Sequence, residues 1–305
     1  MNPPLAYLYR LPLLEGGIRE GILLRQGNRW GEAAPLPGWS CESVDDVKAC
    51  LARTKDGDSA SLCCALEALN ADWTSHRREV PLNALLDGNA EQILAGAVRA
   101  YHAGCRCFKI KTSHVDFGQL LELIAEITRK TQNLCKFRID PNRSWAFEET
   151  LRIADRLRDF RIEYFEEPLA DASKLPELIA KSPCRNALDE TLRENSPTDL
   201  PQFQGAAALV LKPTLMAGFE RCRQFALEGE RLGMVSVVSA AFESGVGIHA
   251  LGRFAASLPR ISAAGLDTYS RLESDVLTNR LDFSGFVFHA DQPLPAIDES
   301  RLVLL

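Results

Sequence analysis

The chain reads Cys-Phe-Lys-Ile-Lys-Thr at residues 107–112, and four similar runs follow: Phe-Arg-Ile-Asp-Pro-Asn (137–142), Tyr-Phe-Glu-Glu-Pro (164–168), Ala-Leu-Asp-Glu-Thr (187–191) and Leu-Val-Leu-Lys-Pro-Thr (209–214). The charged residues that end them are Lys111, Asp140, Glu166, Asp189 and Lys212, spaced 29, 26, 23 and 23 residues apart. Each interval holds one strand and one helix. Because the strands of a parallel barrel end at one rim, the pattern predicts that these five side chains meet at its carboxyl-end mouth.

Regular alternation of strand-like and helix-like segments begins near residue 81. The predicted strands start near residues 82, 107, 136, 162, 186, 207, 235 and 261, and amphipathic helices are predicted at 90–103, 117–131 and 217–232. Eight such units predict a parallel sheet buried on both faces. We therefore expect an α/β fold, a modified (β/α)8 TIM barrel. An open doubly wound sheet is the alternative, but it would place ligands at a single switch point.

Three segments are predicted to make up the chain. Residues 1–80 form an α+β capping domain, residues 81–281 the (β/α)8-type barrel, and residues 282–305 a segment that returns to the capping domain. The predicted elements outside the barrel are hairpin strands at 5–13 and 18–25, a covering loop at 30–40, helices at 44–53 and 60–75, and extended pieces at 283–289 and 302–305.

Composition argues against several classes of partner. The net charge is −6 and no run of five basic residues occurs, so neither nucleic acid nor an anionic membrane is expected as a partner. We find no secretory signal and no apolar stretch of about 18 residues. The nine cysteines contain no Cys-x-x-Cys pair, which is typical of a reduced cytoplasmic protein. The expected partner is a small-molecule carboxylate substrate, and the oligomeric state is not readable.

Three acidic strand ends, Asp140, Glu166 and Asp189, suggest a metal site. Clustered carboxylates repel one another unless a cation lies among them, and an oxygen-only set suits Mg²⁺, with Mn²⁺ as the second candidate. Separate helix caps or surface acids are the alternative interpretation. Alternation along a strand allows only one of Glu166 and Glu167 to face the metal.

Two basic strand ends flank the acids. Lys109 and Lys111 face the same side of one strand, and their repulsion is predicted to lower the pKa of one of them. Lys212 ends a strand four units later, on the opposite side of an eight-stranded barrel. Two amines on either side of a cation site suit removal of a proton α to a carboxylate. Ion pairs at the barrel rim are the structural alternative for the three lysines.

The set Lys-x-Lys, Asp-x-Asn, Glu-Glu-Pro, Asp-Glu-Thr and Lys-Pro resembles the enolase superfamily, in its muconate-lactonizing subgroup. The run Gly-Glu-Ala-Ala-Pro-Leu-Pro-Gly from Gly31 is similar to the mobile capping loop of that subgroup. The resemblance implies that the three acids bind Mg²⁺ and selects Glu166 rather than Glu167. It also implies that Lys111 removes the α-proton and then protonates the departing hydroxyl. Lys212 would stabilise the enediolate and Lys109 the carboxylate charge.

Within the subgroup, three features are similar to the o-succinylbenzoate synthase family: Arg138 two residues before Asp140, the run from Val237 to Gly247, and Gly-Leu-Asp-Thr at 265–268. This resemblance implies dehydration of 2-succinyl-6-hydroxy-2,4-cyclohexadiene-1-carboxylate to 2-succinylbenzoate in menaquinone biosynthesis. The candidate substrate-binding or supporting residues are Lys109, Arg138, Asn142, Glu190, Ser239, Ser244 and Gly245. The serine run of that family is reduced here, because Ala240 and Ala241 follow Ser239.

Two other functions are open on the same residues. A racemase or epimerase of N-acylamino acids or dipeptides would use Lys111 and Lys212 as opposed bases. Dipeptide epimerases carry Asp-x-Asp at the eighth strand end, where this chain has only Asp267. A non-catalytic binding protein on the same scaffold would be expected to have lost one of the five charged residues, and all five are present.

Overall fold

A computed structural model of the chain describes residues 3–53 and 59–305. Its strands are β1 Leu5–Pro12, β2 Ile18–Gln26, β3 Arg29–Ala33, β4 Glu79–Pro81, β5 Ala84–Leu86, β6 Cys107–Lys111, β7 Lys136–Asp140, β8 Ile162–Glu166, β9 Asn186–Leu188, β10 Ala208–Leu211, β11 Val235–Val238, β12 Val287–His289 and β13 Leu302–Leu304. Its helices are α1 Val44–Arg53, α2 Ala60–Asn70, α3 Ala90–His102, α4 Phe117–Lys130, α5 Phe147–Leu157, α6 Leu175–Lys181, α7 Glu190–Glu194, α8 Phe219–Arg231 and α9 Gly245–Ser257.

The N-terminal unit is a four-stranded antiparallel sheet in the order β13-β1-β2-β3, with α2 packed against β3. The predicted loop at 30–40 was partly wrong, because residues up to Ala33 belong to β3. Gly31 allows the close packing of α2, since a Cβ there would lie 2.1 Å from the carbonyl oxygen of Ala65. The helix predicted at 60–75 ends at Asn70. Trp73 supplied the apolar period beyond it, and this side chain packs against aromatic rings of the barrel helices instead.

A parallel sheet of seven strands forms the second unit, and its order β5 to β11 follows the chain. The eighth predicted strand, near 261, is present only as isolated bridges. Its backbone nevertheless joins both edges of the sheet: Gly265 N–H donates to the Val238 carbonyl at 2.9 Å, and Asn83 N–H donates to the Ala264 carbonyl at 2.9 Å. All four residues of β10 are buried, as expected for a sheet covered on both faces. The fold is therefore α/β and TIM-like, with a capping domain.

The C-terminal segment returns to two places. β12 pairs with β4 beside the first barrel strand, and β13 pairs with β1 at the edge of the antiparallel sheet. Carboxylates also join the two units, because Glu67 of α2 accepts the Phe219 N–H at the start of α8. The boundaries at 80/81 and 281/282 stay predictions. In the described part of the chain, every helix is too short or too polar to cross a membrane.

Candidate active site

A cavity of about 270 Å³ opens at the carboxyl ends of the barrel strands. Its wall includes five of the predicted residues: Lys109, Lys111, Asn142, Lys212 and Ser239. Sequence reasoning missed most of the remaining lining residues, which are Leu36, Trp39, Asn83, Leu85, Asp87, Ser113, Leu215, Ala240, Ala241, Phe242, Gly265, Asp267 and Thr268. A larger groove of about 940 Å³ lies along α3, but the charged strand-end residues do not line it. The smaller cavity is therefore the candidate active site.

Ion pairs join the acids of adjacent strands to the lysines. Lys109 Nζ lies 2.9 Å from Asp140 Oδ2 and 2.5 Å from Glu166 Oε1. Lys111 Nζ lies 2.6 Å from Asp140 Oδ2, since these two residues are paired in register across β6 and β7. Lys212 donates directly to Asp189. The ion pairs that were predicted as the alternative role of the three lysines are therefore present. All three lysines also line the cavity.

These contacts set the charge states of the cluster. Burial favours the neutral form of Lys109, but the charges of Asp140 and Glu166 outweigh it and raise the pKa of this lysine. The lowering of one lysine pKa that was expected from repulsion therefore does not occur at Lys109. Burial likewise opposes the charge of Asp140, and the two neighbouring ammonium groups still lower its pKa. Burial, with the charges of Asp140 and Asp189, raises the pKa of Glu166 to about 7 against the attraction of Lys109.

By ligand type, the three acids suit a hard divalent cation, because all of their donor atoms are carboxylate oxygens. All three carboxylates are almost fully buried, and Glu166 Oε2 finds no hydrogen-bond partner among the described residues. A buried carboxylate oxygen without a partner is costly, and a cation would satisfy it. As the side chains lie, no three acids, cysteines or histidines of the described segments surround one common metal position. Lys109 and Lys111 instead hold two of the acids.

Two further side chains fix the acids in place. Asn142 accepts from Lys111 at 2.7 Å and donates its backbone N–H to Asp140 at 3.0 Å. Glu167 points away from Glu166 and accepts the Asp189 N–H at 2.8 Å. Sequence reasoning gave Glu167 no role, although the Glu-Glu pair at the strand end was its signal. Glu167 holds the start of the Asp189 turn.

Glu190, which was predicted as a substrate-binding or supporting residue, does not line the cavity. Its ion-pair partner is Arg193, with Nη2 at 4.0 Å from Oε1. Burial, followed by the charge of Asp189, raises the pKa of Glu190 to about 7. Glu190 begins α7 directly after Asp189, and for that reason the charge of Asp189 acts on it.

Arg138 lies one layer deeper than Asp140, inside the barrel. Its guanidinium is fully buried and donates to Glu163 at 2.7 Å, to the Asn83 side-chain oxygen at 2.8 Å and to the Ala263 carbonyl at 2.7 Å. Arg138 was predicted as a substrate-binding or supporting residue. It does not line the cavity, but it holds Asn83, which does.

Ser244 and Gly245, which were predicted as substrate-binding or supporting residues, do not line the cavity. The Ser244 hydroxyl donates to Glu32 at 2.5 Å and its N–H to the same carboxylate at 2.8 Å. The Gly245 N–H donates to Asp275 at 3.0 Å. Two buried carboxylates thus cap the start of α9, where the positive end of the helix favours anions. No pattern within residues 237–247 could have revealed acids so distant in the chain.

The capping unit covers one side of the cavity with Leu36 and Trp39. The Trp39 carbonyl accepts from Arg193 Nη1 at 2.9 Å, and Lys212 Nζ lies 5.9 Å from the centre of the indole. An aromatic face near an ammonium favours its charged form. The predicted covering role of this loop agrees with its position.

Comparison with known proteins supports this reading of the fold. A family model described as Enolase C-terminal domain-like matches residues 92–293, well over half of the chain. The chain is 27% identical to an o-succinylbenzoate synthase of Yersinia pestis (strain Pestoides F) over 337 aligned positions, which cover 99% of this chain and 98% of that protein.

Solved structures agree on the architecture. A muconate lactonizing enzyme from Pseudomonas fluorescens superposes with a TM-score of 0.85 at 19% identity, over 97% of this chain and 96% of that one. The L-Ala-D/L-Glu epimerase from Bacillus subtilis superposes with a TM-score of 0.82 at 20% identity, over 93% and 94%. The resemblance inferred from the five charged strand ends is confirmed, and the chain belongs to the Enolase C-terminal domain-like family.

Proposed function

We propose that this protein is a Mg²⁺-dependent o-succinylbenzoate synthase, which removes water from 2-succinyl-6-hydroxy-2,4-cyclohexadiene-1-carboxylate. One observation carries the proposal: Lys111 of β6 and Lys212 after β10 line one cavity, with buried carboxylates on the strands between them. The full-length similarity to curated o-succinylbenzoate synthases supports this choice of substrate. On this proposal the partner is a small carboxylate.

Lys111 acts first: after it has given up the proton that it holds beside Asp140, it takes the proton α to the substrate carboxylate. The electron pair of that C–H bond moves into the carboxylate, and the charged Lys212 across the cavity stabilises the resulting negative charge. Attraction by Asp189 raises the pKa of Lys212 against the effect of burial, which keeps it cationic. Lys111, now an ammonium, returns its proton to the departing hydroxyl. Water leaves, and the ring becomes aromatic.

We infer that Asp140, Glu166 and Asp189 hold the metal, because they are buried oxygen donors at the carboxyl ends of adjacent strands. Mg²⁺ supplies electrostatic stabilisation of charge on the substrate carboxylate when bound. Lys109 contacts two of these acids and compensates part of their charge. Replacement of ammonium contacts by a cation would also satisfy the free oxygen of Glu166.

A second function, racemisation or epimerisation of an N-acylamino acid or dipeptide, is favoured by the same pair of lysines. One lysine would remove the α-proton and the other would return it on the opposite face. This chemistry needs an amine on each side of the cavity, which Lys111 and Lys212 provide.

Product identification separates the two functions. We expect purified protein with Mg²⁺ to convert the cyclohexadiene substrate to 2-succinylbenzoate, seen by ultraviolet absorbance and NMR, and EDTA to stop it. Lys111→Ala should lower kcat by a factor of about 10²–10⁴, the usual worth of a proton-transfer group. The control is Lys181→Ala, at an exposed lysine of α6, and should leave kcat unchanged.

Absence of 2-succinylbenzoate with the metal-loaded protein would defeat the proposal. In that case, deuterium incorporation at the α-carbon of an N-acylamino acid in D₂O, with loss of optical activity, would establish the second function. Dehydration together with deuterium incorporation would show that the site performs both reactions.

A further inference from the structure

Arg19 joins the two loops that form the apolar side of the cavity. It lies in β2 with 3% of its surface exposed. On the capping side its guanidinium donates to the carbonyls of Ala34 at 2.5 Å and Pro35 at 2.6 Å. On the barrel side it donates to the carbonyls of Phe242 at 2.9 Å and Ala241 at 3.3 Å. One side chain therefore holds backbone from both units.

Arginine is suited to this task. A buried cation is costly unless its donors are satisfied, and guanidinium places five N–H groups in a planar fork. Carbonyl oxygens from four loop residues and from Glu20 accept these hydrogens. A lysine would retain the charge but could not span both loops, because its three donors radiate from one atom.

Residues of both loops line the cavity. Ala241 and Phe242 line the cavity themselves, and the segment after Pro35 contributes Leu36 and Trp39. Phe242 has a backbone φ of 62°, a conformation that residues other than glycine rarely adopt. Strain of this kind persists only where neighbouring groups hold it, and the bond from Arg19 to the Phe242 carbonyl does so. Lys111, in contrast, belongs to β6, and Lys212 directly follows β10.

We propose that Arg19 is a positioning residue that sets the pocket for the part of the substrate remote from the reacting carbon. This inference rests on the proposed function for the identity of that part, the succinyl chain. Arg19 touches neither the lysines nor the acids in its hydrogen bonds. Its loss should therefore weaken recognition of the chain and leave proton transfer largely intact.

The test compares ligands with and without the succinyl chain. We expect Arg19→Met to weaken binding of 2-succinylbenzoate by about tenfold or more in titration calorimetry, and to change binding of benzoate by less than about threefold. With the full substrate, KM should rise and kcat should stay within about threefold of the wild type. Arg19→Lys should give the same pattern, less pronounced, and it carries the test if Arg19→Met fails to fold.

The matched control is Arg10→Met, at an exposed arginine of the neighbouring strand β1, which should change neither ligand. Equal weakening of both ligands, or an unchanged KM, would overturn the role of Arg19. Failure of the proposed function would be visible separately, as absence of dehydration by the wild-type protein. Binding of neither ligand by the wild type would overturn both proposals.

Discussion

Asp267 should make the protein less stable as the pH rises through the weakly acidic range. Burial raises the pKa of this carboxyl to about 6 from 3.8, against the stabilising bonds from the Leu85 N–H and Ser270. In the unfolded chain the group regains its ordinary pKa. Between these two values the folded protein keeps a proton that the unfolded chain has lost, so the free energy of unfolding falls as the pH increases. Below the lower of the two pKa values, Asp267 is protonated in both states and the free energy of unfolding no longer changes with pH because of it.

The size of the effect follows from the two pKa values. A difference of about two units corresponds to about 3 kcal/mol at most. Because Asp267 lines the cavity and is partly exposed, we expect about 1–2 kcal/mol after solvent screening. Asp267→Asn removes the titration and still offers an oxygen to the Leu85 N–H, which the aspartate accepts at 2.8 Å.

Urea unfolding of the wild type and of Asp267→Asn at about pH 4 and about pH 7.5 measures this difference. Relative to the wild type, Asp267→Asn should gain about 1–2 kcal/mol of unfolding free energy between the two pH values. Asp291→Asn, at an exposed position, should show no such gain. If the difference between Asp267→Asn and the wild type is the same at both pH values, burial does not raise this pKa and the reasoning is refuted.

Three other predictions concern the metal, the packing and the barrel interior. Mg²⁺ at a hundred times its Kd should stabilise the wild type by about 2.7 kcal/mol in thermal unfolding. Asp189→Asn should abolish that stabilisation. If the variant keeps it, the metal binds at another site. Gly31→Ala should lower the free energy of unfolding, measured in urea, by about 1–3 kcal/mol, because its Cβ would clash with the Ala65 carbonyl. An unchanged urea midpoint would show that α2 can shift to make room. Arg138→Met should cost about 3–5 kcal/mol by stranding the Glu163 carboxylate, and a neutral result in the same assay would contradict the burial of that pair.

Much of the barrel was readable from local pattern. The amphipathic stretches at 90–103 and 117–131 correspond to α3 and α4 within one residue at each end. The strand ends at Lys111 and Asp140 were also correct. Local signals sufficed because the spacing of apolar residues along a helix or strand indicates which of its faces is buried. The segment near 261 was harder, since its pairing depends on both edges of the sheet rather than on its own composition.

The candidate site divides along the same line. Charged residues that end strands could be placed together, because parallel strands in one barrel share a rim. Other residues that complete the cavity, such as Asn83 and Leu215, carry no distinctive pattern and come from separate elements. Ser244 and Gly245 matched a family run, yet Glu32 and Asp275 occupy their donors. A motif specifies which groups are present, and it cannot show which of them are already bonded.

Sequence alone was enough to predict five charged groups at the ends of successive strands, and with them the family, because periodicity and residue type are local properties. Folding decided how those groups are partnered: Lys109 lies between two acids, Glu167 holds the Asp189 turn, and Arg19 ties the capping loop to the barrel. These partnerships join residues far apart in the chain. Their energies depend on distance and burial, which exist only once the chain has packed.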